Sequence, residues 1–229
     1  MNRSSLFVSG AVALTFLTGA ADGATVLWTS QYVPETPSTN VDATWYSVLS
    51  VAGTLVQAEN SGGSAINIDF DNDTIVDIPF AAGSFSFGNS FGGFYNGLAS
   101  NNLINAGSWA GGGAGTFPLS GLTVGAEYQV QLLFADARAA QNGRLVSVDG
   151  GAQTQYAYNG GSWGFRLFTG TFTADSATQN ISIQTFETNG TSSAGPQLNA
   201  FQLRQVPEPG VVALGLGALG LAVRRRRLV

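Results

Sequence analysis

A jelly-roll β-sandwich, an all-β fold, is what the sequence predicts, and three observations carry that expectation. The central part of the chain has almost no extended helical periodicity and falls into short stretches of alternating apolar and polar residues. Residues that favour turns separate these stretches, and glycine alone supplies 31 of 229 positions. Ten or so such stretches fit within roughly 180 residues, the size of one domain built as two packed sheets. The expected organisation is a β-sandwich over residues 25–205, with an N-terminal signal peptide over residues 1–24 and a C-terminal hydrophobic helix within residues 206–229.

At the N-terminus, Arg3 sits in a short polar start, residues 6–17 are mostly apolar, and Gly19, Ala20, Ala21, Gly23 and Ala24 are small. This is the three-region layout of a secretory signal peptide, with cleavage expected between residues 21 and 24. The candidate strands of the central part are residues 25–29, 54–58, 65–70, 75–80, 84–87, 127–135, 144–148, 165–172, 181–186 and 198–204. The clearest is 127–135. There Tyr128, Val130, Leu132 and Phe134 share one face, and Gln129 and Gln131 point towards solvent or a neighbouring strand. Asp149-Gly150 and Asn159-Gly160 are expected turns, because these residues tolerate positive φ. Pro34, Pro37 and Ser38 suggest a surface loop, and the glycine-rich residues 111–115 suggest a mobile one. The stretch 81–115 scatters Phe85, Phe87, Phe91, Phe94, Tyr95 and Trp109 among Gly and Asn, and it shows no clean repeat.

The chain ends VPEPGVVALGLGALGLAVRRRRLV. Pro207 and Pro209 hold Glu208 extended. From Val211 to Val223 no side chain is polar, and Arg224, Arg225, Arg226 and Arg227 would stay on the cytoplasmic side of a bilayer. The run is short, about 13 residues against the roughly 20 of a usual span. Gly215, Gly217 and Gly220 spell GxGxxG without the strand or the acidic residue a dinucleotide site needs, so no nucleotide is expected. The tail resembles the PEP-CTERM sorting signal of exported bacterial proteins, with Val206, Pro207, Glu208 and Pro209 as the motif. The same signal is also labelled as the C-terminal domain of ice-binding proteins. The resemblance implies a transient hold in the inner membrane, processing by an exosortase-type enzyme, and delivery to the cell envelope or extracellular matrix.

Composition excludes several chemistries. The chain has no His, Cys or Lys, which removes Ser-His-Asp and Cys-His catalysis, Schiff-base chemistry and the usual zinc ligands. No disulfide is available to it either. Residues 25–205 hold four arginines (Arg138, Arg144, Arg166 and Arg204) against twelve acids, a net charge of −8 that disfavours nucleic acid.

Three groups of residues are candidates for chemistry. Asp69, Asp71, Asp73 and Asp77 fall at the spacing of a calcium loop, although Thr74 stands where Gly is wanted and Phe80 where a closing Glu is wanted. A plain acidic hairpin accounts for the same residues, so calcium is a conditional expectation and no other cofactor is expected. Asp136 and Arg138, with Arg144 or Arg166, would either line a polar glycan pocket or form a sheet-edge ion pair. Trp45, Trp109, Tyr156, Tyr158 and Trp163 lie near loops or strand ends, where aromatics either stack on sugars or cap the core. The run GLTVGAEYQVQLLFADAR, the later VSVDG and the final PQLNAFQLR look like galactose-binding and malectin-like jelly rolls. That resemblance implies a carbohydrate-binding architecture; the candidate glycan contacts, from residue type and placement, are Trp109, Asp136, Arg138 and Trp163. The expected function is therefore structural, adhesive or carbohydrate-binding in extracellular polysaccharide, without catalysis. The alternative is a carboxylate-dependent polysaccharide hydrolase or lyase on the same fold.

Overall fold

The computed structural model describes residues 23–34, 47–69, 73–92, 103–136, 138–157 and 164–207. Outside the described residues lie most of the signal segment and the tail from Glu208 onward, with Pro209, Val211, Val223 and Arg224 to Arg227. Asp71, Trp45, Trp163, Tyr158, Phe94, Tyr95, Pro37, Ser38 and the Asn159-Gly160 turn also lie outside them. Among the described residues no helix is long and apolar enough to cross a membrane.

The strands, in chain order, are β1 (Leu27–Pro34), β2 (Thr54–Asn60), β3 (Ile66–Ile68), β4 (Ile78–Ala82), β5 (Asn89–Gly92), β6 (Ala106–Trp109), β7 (Gly115–Ser120) and β8 (Glu127–Phe134). They continue with β9 (Leu145–Val148), β10 (Thr154–Gln155), β11 (Gly164–Thr173), β12 (Thr178–Phe186), β13 (Ser193–Gly195), β14 (Gln197–Leu198) and β15 (Ala200–Gln205). A seven-stranded sheet runs β1-β11-β8-β15-β2-β4-β3, antiparallel except where β2 and β4 run parallel. The opposing sheet is β10-β9-β12-β13, with β7 also paired to β12. A small third sheet, β14-β6-β5, stands beside these two. The domain is a β-sandwich.

Alternation explains the main core. Tyr128, Val130, Leu132 and Phe134 of β8 share one face, as predicted, and meet Phe117, Leu119, Ile181 and Ile183 of the other sheet. Phe117 and Phe201 touch edge to face, with ring centroids 4.4 Å apart. The Asp149-Gly150 turn forms as expected, with φ of 49° and 69°, and Gly151 N donates to Val148 O at 2.9 Å. The Asp149 carboxylate also accepts from Trp28 Nε1 at 2.8 Å and from Ser182 N at 2.7 Å, so the turn ties β1 to the second sheet.

The structure corrects four local expectations. The stretch 84–87 is not a strand, because its backbone bonds to a side chain rather than to a neighbouring strand: Ser84 N and Phe85 N donate to Glu59 Oε2 at 2.9 and 3.1 Å. Phe85 and Phe87 then pack against the main core from the side. Pro34 ends β1 rather than lying in a loop, and Gly115 of the glycine run opens β7. The last predicted strand is two, β14 and β15, separated at Asn199.

The second face of β8 is also covered. Leu133 and Ala135 pack with Phe165, Leu167 and Ala200 against Leu49, Leu103, Ile104 and Phe80. Farther along the same face runs a polar belt. Gln131 faces Thr169 and Gln202 across the sheet. It receives Gln202 Nε2 at 2.6 Å and Ser50 N at 2.8 Å, and its own Nε2 donates to Thr169 Oγ1 at 3.2 Å. Arg204 continues the belt, donating Nε to Gln202 Oε1 at 3.0 Å and Nη1 to Val51 O at 3.1 Å. These bonds hold residues 50–53 against the sheet and satisfy groups that burial would otherwise penalise.

Candidate functional site

One end of the sandwich gathers most of the polar chemistry. Phe134 ends β8, Phe186 ends β12, and Leu145, which opens β9, pairs with Phe186. Just beyond β8, Asp136 is completely buried and bridges the backbone of Ala157. Its carboxylate accepts Arg138 Nε at 2.9 Å (Oδ1) and Nη2 at 2.5 Å (Oδ2), and the Arg138 amide at 3.1 Å. This is the ion-pair alternative among the sequence expectations, bidentate and half-buried rather than loose on a sheet edge. A second bidentate pair joins Arg144 to Glu187, at 3.1 and 2.5 Å.

Between the two pairs sits Tyr156, fully buried. Its hydroxyl donates to Gln197 Oε1 at 3.1 Å, and Gln197 Nε2 donates to Ala135 O at 3.0 Å. Burial, and then the nearby Asp136 charge, push the Tyr156 phenol far above its ordinary range, so it stays protonated. Tyr156 is therefore a core residue, not a stacking platform.

The small sheet adds the accessible part. Gln197 faces Trp109 across β14 and β6, and Asn89 faces Trp109 across β5 and β6. Phe91 pairs with Gly107 in the same register. A Cβ at position 107 would stand 2.5 Å from the Phe91 ring, so glycine there lets the ring lie across the strand. The Arg138 guanidinium carbon lies 5.8 Å from the Phe91 ring centroid. Trp109 itself is 41% exposed. The structure thus brings Trp109, Asp136 and Arg138 to one region, with Phe91, Asn89 and Gln197, which sequence reasoning did not select. The signal for Phe91 was the small residue two positions before Trp109. Arg166 stays with the sheets instead: its Nε donates to Gln155 O at 2.9 Å and its guanidinium lies over the Tyr32 ring at 5.8 Å.

The arrangement offers a partly exposed Trp109 on the strand that Phe91 crosses, and over Phe91 a guanidinium whose plane Asp136 fixes. Apolar sugar faces stack on indoles, and hydroxyl pairs suit a planar guanidinium and an amide such as Asn89. Asp136 is buried behind Arg138, and its role at this end is to position that side chain.

The described acids of the series, Asp69, Asp73 and Asp77, lie between β3 and β4, and Asp71 lies outside the described residues. β3 and β4 pair Ile68 with Ile78, Asp69 Oδ2 accepts Thr74 N at 2.9 Å, and Asp73 Oδ1 accepts Ile75 N at 2.7 Å. Thr74 holds φ at 75°, the conformation for which Gly is favoured. Asp77 N donates to Ile68 O at 2.8 Å. Among the described residues no three acids group to hold a metal.

No family model matches the chain, and no curated protein does. Among solved structures, the chain is similar to the plant receptor-like kinase ANX1 at 11% identity and a TM-score of 0.44, over 67% of this chain and 49% of that one. It is also similar to a calcium binding mutant of Bacteroides uniformis beta-glucuronidase 2 at 15% identity and a TM-score of 0.41, over 66% of this chain and 18% of that one. The chain therefore spans about half of the kinase chain and under a fifth of the glucuronidase chain.

Proposed function

We propose that this chain is an exported, non-enzymatic β-sandwich of the jelly-roll type that binds carbohydrate in extracellular polysaccharide through the end bearing Trp109. The observation that supports this most is Trp109, 41% exposed, in the same β5–β6 register as Phe91, over which the Asp136-held Arg138 lies. In this reading the PEP-CTERM-like tail, of which Val206 and Pro207 come directly after β15, sorts the protein through the inner membrane to an exosortase-type processing enzyme and on to the envelope or matrix.

Titration of the full chain with a panel of polysaccharides, scored for both heat of binding and reducing-end release, tests the binding reading. Trp109→Ala is expected to weaken the best ligand about fivefold or more, since stacking on an exposed indole contributes about 1 kcal/mol or more. Unchanged affinity removes this end from the reading. Product release that disappears in Glu187→Gln replaces it with the hydrolase or lyase alternative. For sorting, intact-mass measurement on the native host is expected to find a species ending near residues 207–209 outside the membrane. Full-length protein confined to the membrane would make the tail a lasting anchor instead.

A further inference from the structure

We infer that the end of the sandwich opposite Trp109 is a lipid-facing surface, laid against the bilayer that the tail enters. This rests on the anchor part of the proposed function. The chain leaves the fold beside β15, where Val206 N donates to Glu127 O at 2.9 Å, and Pro207 is the last described residue. Four exposed aliphatic side chains lie at the same end of the seven-stranded sheet. Val51 is 51% exposed and lies two residues from Gly53, whose Cβ, if present, would stand 2.3 Å from Gln205 O. Val124 is 64% exposed in the turn before β8, where Gly125 N donates to Ala174 O at 2.8 Å. Ile75 and Val76 are 68% and 42% exposed and precede Asp77, whose charge acts on Arg204, two residues before Val206.

A single exposed valine needs no explanation, but aliphatics gathered at a chain exit do. Beyond that exit lie residues 208–229, with 13 consecutive apolar positions beginning four residues after Pro207. At about 3.5 Å per extended residue, three intervening residues allow the fold to stand only about 10–15 Å from the start of that run. An apolar run that close to the fold brings this end into the interfacial zone, where Val and Ile side chains lose contact with water. Carboxylates nearby, among them Asp73, Glu127 and Asp175, are exposed, which disfavours an anionic headgroup and favours a zwitterionic one. On this geometry the Trp109 end points away from the membrane.

The absence of native cysteine allows a clean test. Full-length protein carrying Val124→Cys, Val51→Cys or, at the far end, Asn89→Cys is labelled with an environment-sensitive dye and reconstituted in phosphatidylcholine vesicles containing spin-labelled lipid. Quenching at positions 124 and 51 is expected to be about threefold or more that at 89, from burial by about 5–10 Å at the headgroup boundary. Vesicle-bound protein with equal quenching at all three positions overturns the lipid-facing surface and leaves the anchor intact. Failure of the full chain to bind vesicles overturns the anchor and the surface with it. Quenching restricted to position 124 reduces the surface to the exit point and overturns the inference for Val51. Val124→Ser with Ile75→Ser provides a second check: the quenching at position 51 is expected to fall about twofold, and no change would contradict a shared surface.

Discussion

Replacing Asn199 with Ala is expected to lower stability by about 3–5 kcal/mol, much of what a domain of this size possesses. Asn199 is completely buried, between β14 and β15. Its Oδ1 accepts Ala135 N at 2.8 Å, and its Nδ2 donates to Ile104 O at 3.1 Å and Ala106 O at 2.9 Å. One side chain thus supplies three hydrogen bonds to backbone groups at strand ends: Ala135 just past β8, Ile104 just before β6 and Ala106 at its first residue. Without it, an amide and two carbonyls lose their partner in a place water does not reach. Asn199→Asp keeps the acceptor but turns a carboxylate towards two carbonyls, so it is expected to be as damaging as the Ala change. Asn199→Leu tests whether filling the space compensates; the hydrogen-bond account requires that it does not. Chemical denaturation of the three variants measures this. A loss below about 1 kcal/mol in Asn199→Ala would mean the backbone groups find other partners. Because Ile104 and Ala106 lead into β6, the same change is expected to loosen Trp109 and shift its fluorescence towards that of solvent-exposed indole.

The second large effect lies at Glu59. This residue is buried, and its carboxylate accepts from Gln57 Nε2 at 2.8 Å, Ser84 Oγ at 2.9 Å, and the Ser84 and Phe85 amides. Burial alone would raise its pKa, but these four donors outweigh burial and hold it below the ordinary 4.5. The direction fixes the pH dependence. The stabilisation is complete above the unfolded-state value near 4.5 and is lost as pH falls through the lower folded value. Glu59→Ala is expected to cost about 2–3 kcal/mol at neutral pH, and Glu59→Gln about half of that, because one amide oxygen replaces two carboxylate oxygens. Below the folded pKa, wild type and Glu59→Gln are expected to converge. Denaturant curves at a series of pH values from about 2 to 7 check this, and a constant gap between wild type and Glu59→Gln across that range would reject it. The structural casualty in Glu59→Ala is the stretch that carries Phe85 and Phe87 into the main core.

These two residues also show where the sequence was legible. The inward face of β8 was readable from Tyr128, Val130, Leu132 and Phe134, because period-2 alternation reports burial directly. The Asp149-Gly150 turn was readable because positive φ has few tolerant residues. What failed was anything decided by a side chain bonding to distant backbone. Residues 84–87 read as a strand by composition, yet the Ser84 and Phe85 amides go to Glu59, about 25 residues away. The final strand read as continuous, yet Asn199 divides it. Of the two directions open to Gln131, solvent or a neighbouring strand, the second holds, since it bonds Thr169 of β11 and Gln202 of β15. One clue was present in Leu132-Leu133-Phe134-Ala135, where alternation gives way to an unbroken apolar run, the mark of a strand covered on both faces. At the candidate site, Trp109, Asp136 and Arg138 were selected from residue type and from their place at loops or strand ends. Their association through Phe91 and Gly107 depends on the β5–β6 register, which glycine-rich strands encode weakly.

The position of β15 has a kinetic meaning. The last strand in the chain is the middle one of the seven-stranded sheet, flanked by β8 and by β2, whose Thr54 pairs with Gln205 about 150 residues later. Neither half of that sheet has its central partner until residues 200–205 are present, so the loop-closure entropy falls late and almost all at once. A chain built this way cannot complete that sheet until residues 200–205 have been made. It closes only when its final strand arrives, immediately before the tail.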